Sequence, residues 1–224
     1  MEKVVVVGGS GFIGSHVADC LSDNGYQVTI FDCIYSPWLR QDQNMVIGDI
    51  SDADALKKTI KGAKFVYNFA ALADLNQALD KPIETATINI LGNLNVLEAC
   101  RIHKVERFVY ASTVYVYSRE GSFYKCSKQS SEQYVEEYQK VYDLDYTIMR
   151  YGSLYGPRAD DTNGIYRIVK LALETGKVEY KGNIESMREY IHVGDAARAS
   201  ISILDQAFKN ESIIVTGQEP MRVF

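Results

Sequence analysis

Short apolar runs rich in β-branched residues alternate along this chain with segments in which apolar residues recur every three or four positions. Five runs predict strands: VVVV at 4–7, VTIF at 28–31, FVYNF at 65–69, RFVYA at 107–111 and YTIMR at 146–150. The segments between them, such as NILGNLNVLEACRIH and SKQSSEQYVEEYQKVY, have the spacing of helices that cover a sheet. The alternation predicts an α/β fold with a doubly wound parallel sheet buried on both faces.

The pattern changes after residue 150. The segment YGSLYGPRADDTNG is rich in glycine and turn-forming residues, which predicts a boundary between a sheet domain over 1–150 and a smaller C-terminal part over 151–224. Within the first part, Pro82 is predicted to start or interrupt the helical segment that precedes Asn89.

Composition narrows the class of protein. With 224 residues, 46% of them hydrophobic, the chain can form a substantial core, and no apolar run approaches the roughly 20 residues that cross a bilayer. The N-terminus leads directly into a predicted strand instead of a signal peptide, so we expect a cytoplasmic protein without a membrane partner. A net charge of -5 without a cationic run argues against nucleic acid. Four cysteines without paired spacing and three histidines predict neither disulfides nor a metal site.

A glycine motif follows the first predicted strand. In GGSGFIG, Gly8, Gly11 and Gly14 form the pattern G-x-x-G-x-x-G, and a helical pattern begins at once. Glycines in this place let the backbone turn tightly and approach a pyrophosphate at a helix N-terminus. Asp32 ends the second strand, where a carboxylate would bind the ribose 2'-hydroxyl of NAD and repel the 2'-phosphate of NADP. The sequence therefore predicts a Rossmann-type domain that binds NAD.

Two segments place a tyrosine four residues before a lysine, FYKCSK at 123–128 and YRIVK at 166–170. The first closely follows the fifth strand and the hydroxyl-rich run ASTVYVYS, so Tyr124 and Lys128 are predicted to lie at the carboxyl ends of the strands. The Lys128 ammonium is expected to lower the pKa of Tyr124 from its usual value of about 10, toward that of a general base. Tyr166 is interpreted as a tyrosine on a peripheral helix.

Several further motifs occur in one order along the chain: GGSGFIG, GDI (48–50), NFAA (68–71), NILGNLNVLEA (89–99), ASTVYVYS (111–118), YKCSK (124–128), MRYGSLYGPR (149–158) and REYIHVGDAARA (188–199). Through these motifs, the whole chain resembles the extended short-chain dehydrogenase/reductase superfamily, especially its nucleotide-sugar epimerase/dehydratase branch. The resemblance implies an NAD-dependent enzyme that acts on a nucleotide sugar.

The resemblance also implies roles for individual residues. The implied catalytic residues are Thr113, Tyr124 and Lys128. The implied cofactor-binding residues are Gly8, Gly11, Phe12, Ile13, Gly14, Asp32, Asp49, Ile50, Phe69, Ala70, Ala71, Lys128 and Tyr151. The implied substrate-binding residues are Thr113, Tyr115, Ser153 and Arg188, of which Arg188 would contact the diphosphate.

Structural alternatives exist for several positions. Thr113 could cap a strand end, Asp49 could be a turn aspartate, and Arg188 could be a solvated surface charge. His192 is interpreted as a packed structural histidine. Asp195 is interpreted as the N-cap of a helix with the sequence DAARASISILDQ.

Departures from the family pattern bear on the reaction. The loop SREGS after Thr113 is short, Ser153 replaces a usual asparagine, and the chain stops where relatives continue, which indicates a short form or a truncated sequence. Val114 and Tyr115 stand where dehydratases carry an Asp-Glu pair, and related decarboxylases use a glutamate at the second place. A sugar-nucleotide epimerase is therefore favoured, ahead of an NAD(P)-dependent keto-sugar reductase or alcohol dehydrogenase and a non-catalytic dinucleotide sensor.

The resemblance also suggests a homodimer. Its contact would use the helices around 89–102 and 122–141, where Val135, Tyr138 and Tyr142 would expose an apolar patch on a monomer.

Overall fold

The computed structural model describes residues 1–178 and 187–222. Its strands are β1 Lys3–Val7, β2 Gln27–Asp32, β3 Asn44–Ile47, β4 Phe65–Asn68, β5 Arg107–Thr113, β6 Tyr146–Tyr151, β7 Ser153–Tyr155, β8 Met187–His192, β9 Glu211–Val215 and β10 Pro220–Arg222. Its α-helices are α1 Phe12–Asp23, α2 Ala53–Ile60, α3 Leu75–Asp80, α4 Pro82–Ala86, α5 Asn93–His103, α6 Ser122–Tyr142, α7 Gly164–Thr175 and α8 Val193–Ser202. A π-helical stretch, Thr87–Gly92, joins α4 to α5, and a 3₁₀ helix, Val114–Tyr117, follows β5.

Seven of the strands form one parallel sheet in the order β3-β2-β1-β4-β5-β6-β9. The chain direction across the sheet changes at β1, with β2 on one side and β4 on the other. Val7 at the end of β1 is in register with Phe31 and with Asn68, so these strands end at the same level. This edge is the switch point at which sheets of this kind bind ligands.

The core lies on both faces of the sheet, which explains why β1 is a continuous apolar run. Val5 and Val7 pack with residues of α2, α5 and α6, whereas Val4 and Val6 pack with residues of α1 and α8. Parallel strands covered on both faces have no solvent-facing side and therefore no alternation of polar residues. The predicted α/β fold class is confirmed.

The C-terminal part contributes to the same sheet. α8 packs against α1, and β9 adds to the edge of β6. The smaller sheet, in the order β10-β8-β7, comes from this part as well. Residues 179–186 and 223–224, which belong to the predicted C-terminal part, lie outside the described residues. No helix within the described ranges has the length and apolar character to cross a bilayer.

Two details of the sequence analysis are wrong. Asp195 is not an N-cap, because α8 begins at Val193 and its N-cap is His192, whose Nδ1 accepts a hydrogen bond from the Gly194 N–H. Val135 is not part of an exposed patch. It is a fully buried core residue, because it lies on the face of α6 that packs on the sheet. The prediction for Pro82 is confirmed, since proline is the first residue of α4.

Candidate active site

The glycine loop between β1 and α1 has one glycine that the fold itself does not require. Gly8 has a φ of +79°, and a Cβ there would lie 2.3 Å from the backbone nitrogen of Ala70. A Cβ on Gly14 would lie 2.3 Å from the Gly8 carbonyl oxygen. Gly11, in contrast, has an ordinary φ of -76°, and the nearest atom to an added Cβ is 3.5 Å away. The absence of a side chain at Gly11 fits the close approach of a pyrophosphate.

The N-terminus of α1 adds to this cradle. No side chain caps α1, and the N–H groups of its first residues, Phe12 and Ile13, have no partner within the helix. They provide donors and the positive end of the helix dipole for an anion. Asp32 lies beside the loop, with Oδ2 accepting a hydrogen bond from the Ser10 N–H at 2.9 Å. The residues present therefore fit a dinucleotide.

Asp49 and Ile50, which are predicted to bind the cofactor, border the same edge of the sheet. Ile50 is buried and packs where a side chain on Gly92 would stand. Asp49 is exposed, and its carboxylate accepts a hydrogen bond from the Ser51 N–H at 2.8 Å; the Ser51 side chain and this N–H both lower the pKa of Asp49. A turn aspartate and an adenine-facing residue are both compatible with this geometry.

The segment from Phe69 to Ala71 follows β4 and contacts the glycine loop. The Phe69 N–H donates to the Val7 carbonyl oxygen at 2.7 Å, and the Ala70 N–H donates to Asn68 Oδ1 at 3.1 Å. Ala70 is also the residue that leaves no space for a side chain at Gly8. All three residues, Ala71 included, are partly exposed at this edge.

Thr113, Tyr124 and Lys128 come together where β5 ends and α6 begins. The Thr113 hydroxyl lies close enough to the Tyr124 phenol to have a lowering effect on its pKa, and its Oγ1 accepts a hydrogen bond from the Tyr115 N–H at 3.2 Å. Lys128 is buried, with Nζ 2.7 Å from the Ala111 carbonyl oxygen and 5.8 Å from the centre of the Tyr124 ring. Thr113 therefore both caps the 3₁₀ helix and contacts the tyrosine.

The expectation that Lys128 lowers the pKa of Tyr124 is wrong. Although part of its surface is exposed, Tyr124 has a pKa raised to about 12, because desolvation of the phenol outweighs the lowering effect of the Thr113 hydrogen bond. Burial also lowers the pKa of Lys128 to about 7, with the nearby Glu132 charge opposing that shift. The lysine is thus only partly charged near neutral pH, and its Nζ donates to a backbone carbonyl instead of the phenol.

The second tyrosine–lysine pair lies in a different environment. Tyr166 is in the first turn of α7 with 38% of its surface exposed. Lys170 is ion-paired with Asp161 at 3.0 Å, which raises its pKa. This geometry agrees with the interpretation of Tyr166 as a tyrosine on a peripheral helix.

The predicted substrate residues are spread over three elements. Tyr115 lies on the 3₁₀ helix, Ser153 begins β7 in register with Tyr190, and Arg188 lies on β8, partly exposed, with Nη1 3.3 Å from the Met187 carbonyl oxygen. The predicted cofactor residue Tyr151 has its phenol in the core. Its hydroxyl is 2.6 Å from the hydroxyl of Ser200 on α8, so only its main chain can face the site edge.

The buried Asn89 in the π-helical stretch belongs to the site although no sequence motif predicted a role for it. Its Nδ2 donates to Ser127 Oγ at 2.9 Å and to the Leu72 carbonyl oxygen at 3.1 Å. The Ser127 hydroxyl in turn donates to the Tyr124 carbonyl oxygen at 2.8 Å. Asn89 therefore ties the loop after β4 to the first turns of α6. An asparagine within an apolar helical segment is the one signal that could have identified it.

Comparison with known proteins agrees with this geometry. Residues 4–217 match the NAD dependent epimerase/dehydratase family. A Methanocaldococcus jannaschii protein assigned as a UDP-glucose 4-epimerase is 30% identical over 238 residues, which cover 96% of this chain and 77% of that protein. The structure of UDP-glucose 4-epimerase with UDP-glucose from Thermotoga maritima is similar with a TM-score of 0.92 and 28% identity, covering 99% of this chain and 79% of that one. UDP-glucose 4-epimerase from Thermus thermophilus in complex with NAD gives a TM-score of 0.87 at 28% identity, covering 98% and 79%.

Proposed function

Because this chain belongs to the NAD-dependent epimerase/dehydratase family, we propose that it is an epimerase that inverts one hydroxyl-bearing carbon of a nucleotide sugar. The family resemblance of its motifs is confirmed, and the family's cofactor is NAD. The observation that carries the proposal is the placement of Thr113 and Tyr124 next to each other beside the buried Lys128, at the same sheet edge as a glycine loop that fits a pyrophosphate.

Bound NAD supplies a reversible hydride acceptor, which inversion at an alcohol carbon requires. Tyr124 accepts the proton of the sugar hydroxyl, and Thr113 donates a hydrogen bond to the sugar oxygen as the keto sugar forms. Tyr124 returns the proton once the keto sugar has presented its opposite face. Glycine-loop N–H groups and Asp32 hold the cofactor in place.

The proposed role requires that Tyr124 lose its own proton. With a pKa of about 12 the phenol is protonated at neutral pH, so a positive charge must act on it. Lys128 does not lower this pKa in the structure, but its Nζ lies 5.8 Å from the centre of the Tyr124 ring, and with a pKa of about 7 it carries a proton in a substantial fraction of molecules, so the proposal assigns that charge to it. Deprotonation of Tyr124 in the working site is therefore coupled to the charge of Lys128.

Elimination is less well supported than epimerisation. The 3₁₀ helix after Thr113 has the sequence VYVY, so it brings no carboxylate to the place where dehydratases of the family carry an acid pair. Removal of a sugar hydroxyl needs a second acid and base, whereas epimerisation needs only the tyrosine and the cofactor.

The test is incubation of the protein with a panel of UDP-, GDP- and dTDP-sugars. Product stereochemistry is followed by NMR and cofactor release by the absorbance of reduced nicotinamide. Inverted product with retained cofactor supports the proposal. Release of NADH would instead identify a reductase or alcohol dehydrogenase, and absence of turnover on the whole panel would favour a dinucleotide sensor. Mass spectrometry of co-purifying small molecules would identify the nucleotide sugar directly.

A further inference from the structure

A buried polar network lies directly beneath the proposed catalytic residues. Ser112 and Arg150 are partners in the parallel pairing of β5 and β6, and the next pair along these strands contains Thr113. Glu132 lies on α6, one helical turn after Lys128. We propose that Glu132 and Arg150 are positioning residues, whose ion pair fixes the elements that carry the site relative to each other; this inference rests on the proposed function.

The ion pair between Arg150 and Glu132 is bidentate. Arg150 Nε donates to Glu132 Oε1 at 3.0 Å, and Nη2 donates to Oε2 at 2.6 Å. The Ser112 hydroxyl also donates to Oε1. Two parallel charge-assisted hydrogen bonds fix orientation as well as distance. The Glu132 carboxylate therefore fixes the position and orientation of α6 relative to both β5 and β6.

The same arginine reaches the 3₁₀ helix. Arg150 Nη1 donates to the Tyr117 hydroxyl at 2.5 Å, and the guanidinium lies over the Tyr117 ring at 5.1 Å. A second contact comes from α6, where Gln129 Nε2 donates to the Val116 carbonyl oxygen at 2.8 Å. The 3₁₀ helix that begins immediately after Thr113 therefore accepts hydrogen bonds from side chains of both β6 and α6.

The energetics of burial favour a positioning role. The side chains of Glu132 and Arg150 are only 8% and 16% exposed. Removing both charges from water offsets most of their attraction, and an apolar pair of similar volume commonly stabilises a fold equally well. What an apolar pair lacks is directional contact. The network therefore serves the relative placement of Thr113 and Tyr124 rather than overall stability.

The double variant Glu132→Leu/Arg150→Met tests the proposal, because it removes the directional contacts without leaving a buried charge. We expect a melting temperature close to that of the wild type, an unchanged KM for the nucleotide sugar and a fall in kcat on the order of 100-fold, as misplacement by about 1 Å produces. The matched control is Lys209→Met. It breaks an ion pair with Asp145 at the opposite end of β6 and should leave kcat unchanged.

A stable double variant that keeps wild-type kcat overturns the proposal. If the double variant does not fold, Tyr117→Phe decides: this exposed residue loses only the hydroxyl that Arg150 holds, and an unchanged kcat overturns the proposal whereas a several-fold fall supports it. If the wild type converts no sugar, the proposed function fails separately. Crystal structures of the wild type and the double variant then decide, because the proposal expects the distance between the Thr113 and Tyr124 hydroxyl oxygens to increase in the variant, and an unchanged distance overturns it.

Discussion

Tyr124 and Tyr166 have the same spacing to a lysine but different surroundings. The first lies next to Thr113 at the end of β5, and the second is an exposed residue of α7. Tyr124→Phe removes only the phenolic oxygen, so we expect intact folding and NAD binding with a fall in turnover on the order of 100- to 10,000-fold. Tyr166→Phe should change stability by less than roughly 0.5 kcal/mol and leave turnover intact. Wild-type turnover in Tyr124→Phe with loss in Tyr166→Phe would place the site elsewhere.

Burial of Lys128 predicts a pH dependence of stability. Its pKa of about 7 in the folded chain lies below the value of 10.5 expected when it is exposed. Between these values the unfolded chain binds the additional proton, so this residue increases the free energy of unfolding as pH rises, by at most about 1.4 kcal/mol per pH unit. Urea unfolding from about pH 7.5 to about pH 9.5 should show a steeper rise for the wild type than for Lys128→Met. Parallel curves would contradict the lowered pKa.

Asp32 predicts preference for NAD over NADP. Its carboxylate lies beside the glycine loop, and a 2'-phosphate there would meet a like charge. Calorimetric titration should show tighter binding of NAD than of NADP. Asp32→Asn should reduce the ratio of the two affinities roughly tenfold or more, because it removes the like charge. The amide keeps an acceptor for the Ser10 N–H, so the loop should stay intact. Arg40 is held by Asp23 at 2.6 Å and Asp42 at 2.8 Å, so Arg40→Met is the control that should not alter the ratio. Equal affinities for the two cofactors in the wild type would refute the preference.

At the scale of elements, the loop between β1 and α1 separates what folding requires from what binding requires. Gly8→Ala should destabilise by at least about 2 kcal/mol, because its φ is positive and its Cβ would meet the backbone of Ala70. Gly11→Ala has room for its methyl group, so the melting temperature should hold while NAD affinity falls about tenfold or more. Gly164→Ala, with open space around it, is the control for both measurements. Unchanged NAD affinity in Gly11→Ala would show that the pyrophosphate does not pass over this residue.

The elements also show why sequence analysis succeeded where it did. All five strands predicted from β-branched runs form, because the central residues of each are buried on both faces and mostly apolar. β3 was missed because only four residues, mostly exposed, pair at the sheet edge, and β7 and β10 have three residues each. The N-cap of α8 was misplaced by three residues because histidine and aspartate can both cap a helix.

Long-range contacts are the part of the site that spacing could not predict. The pair Tyr124 and Lys128 lies within one helix and can be recognised from sequence. The contact between Glu132 and Arg150 joins residues 18 positions apart on different elements, and its significance depends on the register of β5 with β6. The prediction that Lys128 lowers the pKa of Tyr124 is wrong for a related reason. Spacing indicates which charges are near, whereas the extent of desolvation follows only from packing.

At the scale of the whole molecule, self-association as a homodimer stays a prediction. The residues predicted to form the contact surface change, because Val135 and Tyr138 are not exposed. Tyr138 is partly buried and donates to Glu98 at 2.6 Å, so it ties α6 to α5 instead of facing a partner. The large apolar residues that these helices and the π-helical stretch expose are Leu91, Ile102, Phe123, Tyr134, Val141 and Tyr142. Leu91 and Ile102 are separated by 11 positions, about three helical turns, and Tyr134 and Val141 by seven, about two turns, so each pair forms a stripe.

A two-fold dimer would bury these stripes against each other, because a C2 contact uses the same patch on both subunits. Light scattering at micromolar concentration should give twice the chain mass of 25.2 kDa. Leu91→Glu/Tyr134→Glu should shift the mass to that of the monomer, since each glutamate would have to be buried without a partner. Leu173→Glu is the matched control on α7, where a still more exposed leucine lies away from these helices, and it should leave the dimer intact. A monomer mass for the wild type, or dissociation caused by Leu173→Glu alone, would contradict the use of this surface.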